Sequence, residues 1–346
     1  MKKGNATFRS TWHDEDRKSQ WGIASWFFHL LNIDPIPPNF EVPVHAKTDK
    51  MPYVSEMDLH RWILPRALVP FAIHCGLYYY GGIQLHPLAA FALYTVWFKL
   101  FGVMLLQMLR AVSQQCGFLD GTHPRDGVPD QSINKVLMSL ISTSTYRPMM
   151  AIMLAYDRNQ APHISFPWIL AYIGLYNVAL DFYFFHYHKA MHEVPWLWKF
   201  HSTHHKTKHP NPALTLFADE VQEVFDIAII PLCAYLTMRA LTSFDFCASF
   251  NFYDWWLCQM YQMFTELAGH SGCRLYATSP SSFGLLPKLG LDIVIEDHDL
   301  HHRQGYRKSG NYGKQSRVWD HVFGTTIPRE ECIPSQMETK KQPIPW

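Results

Sequence analysis

The sequence has little charge and no excess of either sign. Its 346 residues include 30 Lys and Arg against 29 Asp and Glu, a formal net charge of +1, and charged residues make up 17% of the chain. Hydrophobic residues make up 48%. This balance argues against a basic nucleic-acid-binding protein and against a disordered one. We therefore expect no nucleic-acid partner and a folded chain with a substantial core.

Paired cysteines and a secretory leader are also missing. The seven cysteines are odd in number, and none forms a C-x-x-C pair. We interpret them as reduced thiols in apolar surroundings, because neither a disulfide frame nor a thiolate metal site fits this pattern. The first 20 residues hold no continuous apolar region and no small-residue cleavage site, so we expect the N-terminus to stay in the cytosol.

Long hydrophobic runs, by contrast, are present. The polar, proline-punctuated segment 1–60 contains one apolar stretch at 21–31, interpreted either as an interfacial amphipathic helix or as a packing segment. Segment 61–160 is predicted to hold a transmembrane hairpin and a loop, because two of its runs approach the ~20 apolar residues that span a bilayer. Lys99 interrupts the second run and is expected to face inward or to snorkel. A further amphipathic helix is predicted near 134–155.

Segment 161–327 is predicted to be the catalytic domain, followed by a C-terminal tail at 328–346. It begins with an uncharged span at 164–180, which we expect Asp181 to end. Two apolar runs at 227–238 and 246–264 are predicted to form a second hairpin.

The positions of the histidines carry the functional prediction. Three sets stand out: His188 and His192 at H-x-x-x-H spacing, then His201, His204 and His205 as H-x-x-H-H, then His298, His301 and His302 with the same spacing. On a helix, side chains at i, i+3 and i+4 share a face, and an adjacent pair splays apart to reach two metals. A single such spacing rarely binds metal, but three together predict a metal site. Imidazole suits Zn, Cu, Fe and Ni alike.

This three-box pattern resembles the membrane fatty acid hydroxylase and sterol desaturase superfamily. The flanking motifs DFYFFHYHK, GHSG, NYG and WDHVFGT agree, and the resemblance covers roughly residues 164 to 327. It implies an all-α, polytopic helical membrane protein with a cytosolic, histidine-rich catalytic cap. It also implies two iron ions, which zinc may replace in purified protein, O2 as co-substrate and a long-chain lipid substrate.

The resemblance implies nine metal ligands. They are the eight box residues and the histidine of GHSG: His188, His192, His201, His204, His205, His270, His298, His301 and His302. The chain departs from the family at ADEVQE, where Asp219 stands in place of a common histidine. Asp219 is either an oxygen ligand or the N-cap of the following helix. Glu223 is either an acceptor that orients an imidazole or a solvated residue.

The predicted function is that of a membrane di-iron oxidase that hydroxylates a C–H bond of a lipid, with a fatty acyl chain as first choice. The protein is expected to be multi-pass in the endoplasmic reticulum membrane, with its boxes facing the cytosol. A sterol desaturase or sterol methyl oxidase is the alternative enzyme. A histidine-rich metal transporter is the alternative from another class, although its ligands should lie near the membrane midplane.

Electrons are expected to come from a separate protein. Some relatives carry a fused b-type cytochrome with an H-P-G-G element, and the nearest text here, HPRDG at 123–127, departs from it. We therefore predict a b-type cytochrome and an NAD(P)H-dependent reductase as partners. Arg303, Arg307 and Lys308 near the third box would suit an acidic donor.

Overall fold

The computed structural model describes residues 10–33, 41–244, 247–306 and 309–345. The α-helices are α1 (Ile23–Leu30), α2 (Glu56–Tyr79), α3 (Pro87–Cys116), α4 (Ile133–Ala155), α5 (Ile169–Glu193), α6 (Trp198–His201), α7 (Glu220–Val224), α8 (Ile230–Leu241), α9 (Phe252–Gly269), α10 (Leu285–Lys288), α11 (Ile295–Gln304) and α12 (Val318–Val322). A π-helical turn, Phe225–Ile229, joins α7 to α8. Two strands, β1 (Met51–Tyr53) and β2 (Met337–Lys341), pair in parallel. The fold is mostly helical, as predicted.

In the part of the chain that the structure describes, three helical segments are long and apolar enough to cross a membrane: Pro87–Cys116, Ile169–Glu193 and Glu220–Leu241. Helices α2 and α3 follow one another where the transmembrane hairpin is predicted, but only α3 is among the candidate spans. Helix α4 matches the position of the predicted amphipathic helix. Lys99 turns inward, donating to Ser144 Oγ at 2.6 Å and Thr145 Oγ1 at 2.9 Å on α4. These hydrogen bonds hold the ammonium group between two helices.

Of the two runs in the second predicted hairpin, only the one at 227–238 lies in a candidate span. The other run overlaps α9. Helix α9 is buried along its whole length from Phe252 to Ala268 and packs against α2, α3, α4, α5 and α11. It is the central helix of the core, and it ends directly before His270. Residue 246, where the predicted run starts, lies outside the described residues.

Asp181 ends the uncharged run but not the helix, because α5 continues to Glu193. The buried Asp181 carboxylate accepts hydrogen bonds from the backbone N–H groups of residues 314–316 at 2.8 to 3.2 Å. These bonds replace hydration, which a buried charge requires. The unbroken helix places His188 and His192 one turn apart at its end.

The segments after α5 form a cap held by buried ion pairs. Arg329 bridges to Asp297 on α11 at 2.8 Å, and Arg274 bridges to Glu331 at 3.1 Å. All seven cysteines are free thiols, as expected. Helix α1 buries Phe28 against the core. The first nine residues and the proline-rich stretch 34–40 lie outside the described residues.

Candidate metal centre

All nine predicted histidines converge in two buried groups. Five form the first group: His188, His192, His201, His205 and His301. Four form the second group: His204, His270, His298 and His302. Within each group one ring nitrogen per histidine lies within 4.8 Å of the others.

The boxes divide between the groups in the way their spacing predicts. The neighbours His204 and His205 belong to different groups, and so do His301 and His302. Adjacent residues on a helical turn point about 100° apart, so each pair reaches two places at once. The second box lies on α6 and a 3-10 turn, His204–Lys206, rather than on one continuous helix.

Five of the imidazoles are oriented through Nδ1 by an oxygen that can only accept a hydrogen bond. The donors and acceptors are His188 to Tyr312 O (2.7 Å), His201 to Gln222 Oε1 (2.8 Å), His270 to Glu266 O (2.8 Å), His301 to Gly310 O (2.8 Å) and His302 to Thr207 O (2.9 Å). A carbonyl oxygen has no proton to give, so each of these Nδ1 atoms carries the hydrogen. In a neutral ring, Nε2 is then a bare lone pair, which is the form that binds metal.

These lone pairs face one another at distances that fit metal ions. His188 Nε2 lies 2.9 Å from His201 Nε2, and both rings are hydrogen-bonded through Nδ1. His188 and His201 both carry their hydrogen on Nδ1, so their two Nε2 lone pairs repel at this distance unless a cation lies between them. In the second group His298 Nε2 lies 2.9 Å from His270 Nε2 and 3.2 Å from His302 Nε2. Two imidazole–metal bonds of about 2.0–2.1 Å at roughly 90–110° span such separations.

Burial keeps the imidazoles neutral. It lowers the pKa of His201 and of His270 to about 4, with the Lys314 ammonium lowering both further. Burial and the imidazoles of His201 and His270 lower the pKa of His301 to about 3. The pKa values of His204, His205, His298 and His302 fall well below their usual range for the same kind of reason. Near pH 7 the groups therefore offer uncharged ligands.

A buried network of charges lies beside the second group. Glu266 Oε1 accepts from Lys314 Nζ at 3.0 Å, and Glu266 Oε2 lies 3.4 Å from Arg147 Nη1. Lys314 also lies 3.9 Å from Asp226. The sequence reasoning missed these residues and the Nδ1 acceptor Gln222. For Glu266, Arg147 and Asp226 the signal was a charge inside an apolar run, where charges are rare. Lys314 and Gln222 lie in polar stretches and gave no such signal.

Asp219 and Glu223 lie outside both groups. Asp219 caps α7, where its carboxylate accepts from Val221 N at 3.0 Å, so the structure favours its capping interpretation. Glu223 does not orient an imidazole, since its carboxylate accepts from Ser139 Oγ at 2.6 Å. The neighbouring Gln222 has that role instead, because the helical turn points residue 222 rather than 223 toward His201.

A third cluster lies at the cap surface and is a poorer metal site. Asp120 lies 2.9 Å from His123 Nδ1 and 3.8 Å from His209 Nε2. Lys47 Nζ at 3.4 Å and Arg303 Nη1 at 3.8 Å already neutralise this carboxylate. Their positive charges oppose a bound cation.

Comparison with known proteins decides the family. A family model described as fatty acid hydroxylase matches residues 173–325, which include all nine histidines. Fatty acid hydroxylase vlmA of Lecanicillium sp is 38% identical over 319 residues, covering 87% of this chain and 86% of its own length. The chain belongs to the fatty acid hydroxylase family. The predicted superfamily is thereby confirmed.

More distant relatives share the histidine-rich half. Methylsterol monooxygenase 2-1 of Arabidopsis thaliana is 29% identical over 194 residues, 51% of this chain and 65% of its own length. Alkylglycerol monooxygenase of Xenopus tropicalis is 24% identical over 205 residues, 58% of this chain and 41% of its own length. No solved structure matches this chain significantly. Family membership makes the protein a lipid hydroxylase or oxidase in general terms, and removes the support for a metal transporter.

Proposed function

We propose that this protein is a membrane di-iron oxidase that hydroxylates a C–H bond of a fatty acyl chain, using O2 and external electrons. One observation carries the proposal: two groups of neutral imidazoles converge side by side, and the second group borders an apolar cavity. Iron ions bound there would supply the redox chemistry that activates O2, which zinc in the same sites would not.

The nine histidines are proposed as the metal ligands. Five of them are held in place through Nδ1, which fixes the ring plane and leaves Nε2 toward the metal. The four other members have an Nδ1 atom with no hydrogen-bond partner among the described residues: His192, His204, His205 and His298. The donor set is entirely neutral, so the bound ions would keep their full positive charge.

An apolar cavity reaches the second histidine group. It has a volume of about 50 Å³, and His270 and His298 form part of its wall. The rest of the lining is mostly apolar and includes Leu109, Phe264 and Val294. An apolar space of this kind suits the hydrocarbon part of a lipid. The chain would thus present its C–H bonds to the second histidine group.

The proposed setting is the endoplasmic reticulum membrane, with α3, α5 and the α7–α8 segment as spans. His188 and His192 occupy the last turns of α5, so the histidine groups lie at one end of the candidate spans. Placing nine imidazoles at the membrane surface avoids the high cost of polar groups in hydrocarbon. We assign that end to the cytosolic side.

The reaction requires a second pair of electrons. Converting R–H and O2 into R–OH and H2O consumes two electrons and two protons beyond the C–H bond, and we propose a b-type cytochrome, its reductase and NAD(P)H as their source. Arg303 is a weaker docking residue than expected, because Asp299 engages it at 2.9 Å. Arg307 and Lys308 lie outside the described residues. The exposed Lys199, Lys206 and Lys208 beside the second box offer an alternative cationic surface.

Reconstitution tests this function. Purified protein in detergent should hold close to two metal ions, and with iron, a fatty acid, O2 and an NAD(P)H-driven cytochrome chain it should release a hydroxylated acid detectable by mass spectrometry. Lipid mass spectrometry of cells with and without the gene would identify the natural product. Activity that survives chelation in protein with at most one metal ion would refute the di-iron assignment. Repeated turnover without any donor protein would refute the electron source.

A further inference from the structure

The C-terminal tail separates the cavity at the histidines from a second cavity. The inner cavity, described above, is closed on one side by Ile344. The outer cavity measures about 310 Å³ and is lined by Asp58, Arg61, Trp62, Lys341, Pro343 and Ile344. Among the residues that the structure describes as lining these two cavities, Ile344 alone belongs to both. Its side chain is therefore the partition between them.

The tail is held in this position by contacts at its surface. Gln342 N donates to Tyr53 O at 2.8 Å, which extends the pairing of β2 with β1. The side chain of Gln342 donates to Gln115 Oε1 at 2.6 Å at the end of α3, and Lys341 pairs with Asp58. Exposed polar contacts of this kind are individually worth little. The Ile344 side chain can therefore move aside without unfolding the cap.

The outer cavity has the charge that an anionic head group needs. Its lining carries two cations, Arg61 and Lys341, against one anion, Asp58. The side chain of Arg61 is 64% exposed, and among the described residues its one hydrogen bond or ion pair is with Asp58 at 3.5 Å, which leaves most of its five donors for a ligand. Asp58 also accepts from Ser55 Oγ at 2.6 Å. The excess positive charge lies next to an apolar passage.

We propose that the outer cavity binds the carboxylate of an acyl substrate, and that Ile344 is the gate through which the chain passes to the histidine groups. This inference rests on the proposed function and names its substrate class: a single acyl chain with a free anionic head. The arrangement matches an amphiphile at a membrane surface. Asp58 and Arg61 lie in the first turns of α2, while the inner cavity continues into the apolar core toward His270 and His298.

Binding without turnover tests the proposal. The full-length, iron-loaded protein is kept free of oxygen and reductant, and its affinity is measured for radiolabelled hexadecanoate and for the uncharged methyl ester. The double variant Arg61→Gln/Lys341→Gln should weaken binding of the acid about tenfold and leave the ester unchanged, since it removes two partly exposed charge contacts that only the carboxylate makes. A merely structural role of the tail would weaken both ligands equally.

Two substitutions of Ile344 test its role as the gate. Ile344→Trp should weaken binding of acid and ester alike by about tenfold, because it fills the passage, and Ile344→Ala should shift the preference toward longer acids. Lys288→Gln and Ile23→Ala are matched controls, since both residues are exposed and neither lines either cavity. Melting curves for every variant report whether it is folded.

The outcomes separate the two proposals. Hexadecanoate that binds the wild-type protein and all variants equally would overturn the head-group site while leaving the acyl hydroxylase function intact. Equal losses for acid and ester in the charge variant would also overturn it, and an unaffected Ile344→Trp variant would overturn the gate. A wild-type protein that binds no hexadecanoate, yet oxidises another lipid, would overturn both the acyl substrate and the inference that rests on it.

Discussion

Replacing Gln222 by leucine should weaken metal binding in the first histidine group and leave metal binding in the second unchanged. The Gln222 side chain is buried, and its Oε1 accepts from His201 Nδ1 at 2.8 Å. Leucine has a similar size but no acceptor. His201 must then either bury an unpaired N–H group or move its proton to Nε2, where it blocks the metal. Both results weaken the first group, which contains His201, and neither touches the second.

The size of the loss follows from two independent arguments. An unpaired buried donor costs about 1–3 kcal/mol. Removing an orienting partner from a ligating histidine typically costs 10–100-fold in metal affinity, or about 1.4–2.8 kcal/mol. The two ranges agree, so we expect a loss of one to two orders of magnitude in one of the two affinities.

Competition with a chelator measures this loss. Metal-free protein is titrated with Fe(II) or Zn(II) against a chelator of known affinity, and the variant should bind its second ion far more weakly than the wild type does. Glu223→Gln is the matched control, because the adjacent residue contacts Ser139 and no imidazole. Equal weakening of both ions, or no weakening, would show that the Nδ1 acceptor does not control the site.

Three further results are expected. His201→Ala and His302→Ala should each abolish hydroxylation and lower metal content, whereas His123→Ala should leave both nearly intact, as product mass spectrometry and metal analysis will show. Asp219→Asn should keep full metal content because it still caps α7, and Asp219→Ala should lower the free energy of unfolding by about 1 kcal/mol in denaturant titrations. The metal-free protein should lose stability below pH 6.5. The pKa values of His201 and His270 drop from 6.5 to about 4 on folding, so between these pH values the unfolded chain binds more protons than the folded chain. As the pH is lowered, the free energy of unfolding therefore falls by up to about 1.4 kcal/mol per pH unit per histidine. A melting temperature constant from pH 7 to 4.5 would contradict this.

The sequence was sufficient to predict which histidines meet. Spacing within a box is local, and a helical turn converts it into direction, so the split of His204 from His205 follows from adjacency alone. The sequence could not decide whether Asp219 is a metal ligand or a helix N-cap, because both roles use the same carboxylate. Only the described hydrogen bond to Val221 separates them.

The partners of the histidines could not be predicted, because they are distant in the chain. His188 donates to Tyr312, and His302 donates to Thr207, across separations of 124 and 95 residues. Backbone carbonyls leave no trace in a sequence motif. The same limit applies to Asp181, whose hydrogen bonds come from a loop far along the chain.

The loop that supplies these bonds ties the metal groups to the membrane helices. Tyr312 N and Gly313 N donate to Asp320 at 2.8 and 2.7 Å, and the following residues donate to Asp181 on α5. A Cβ atom at Gly313 would lie 2.9 Å from Asp181 and 3.0 Å from Asp320, so only glycine lets both carboxylates approach. The carbonyl of Tyr312 then orients His188, a ligand on the same helix as Asp181. Helix α5 thus carries both His188 and Asp181, and Asp181 holds the loop whose Tyr312 carbonyl orients His188. The His188 ring therefore keeps its orientation as long as this loop stays bound to α5.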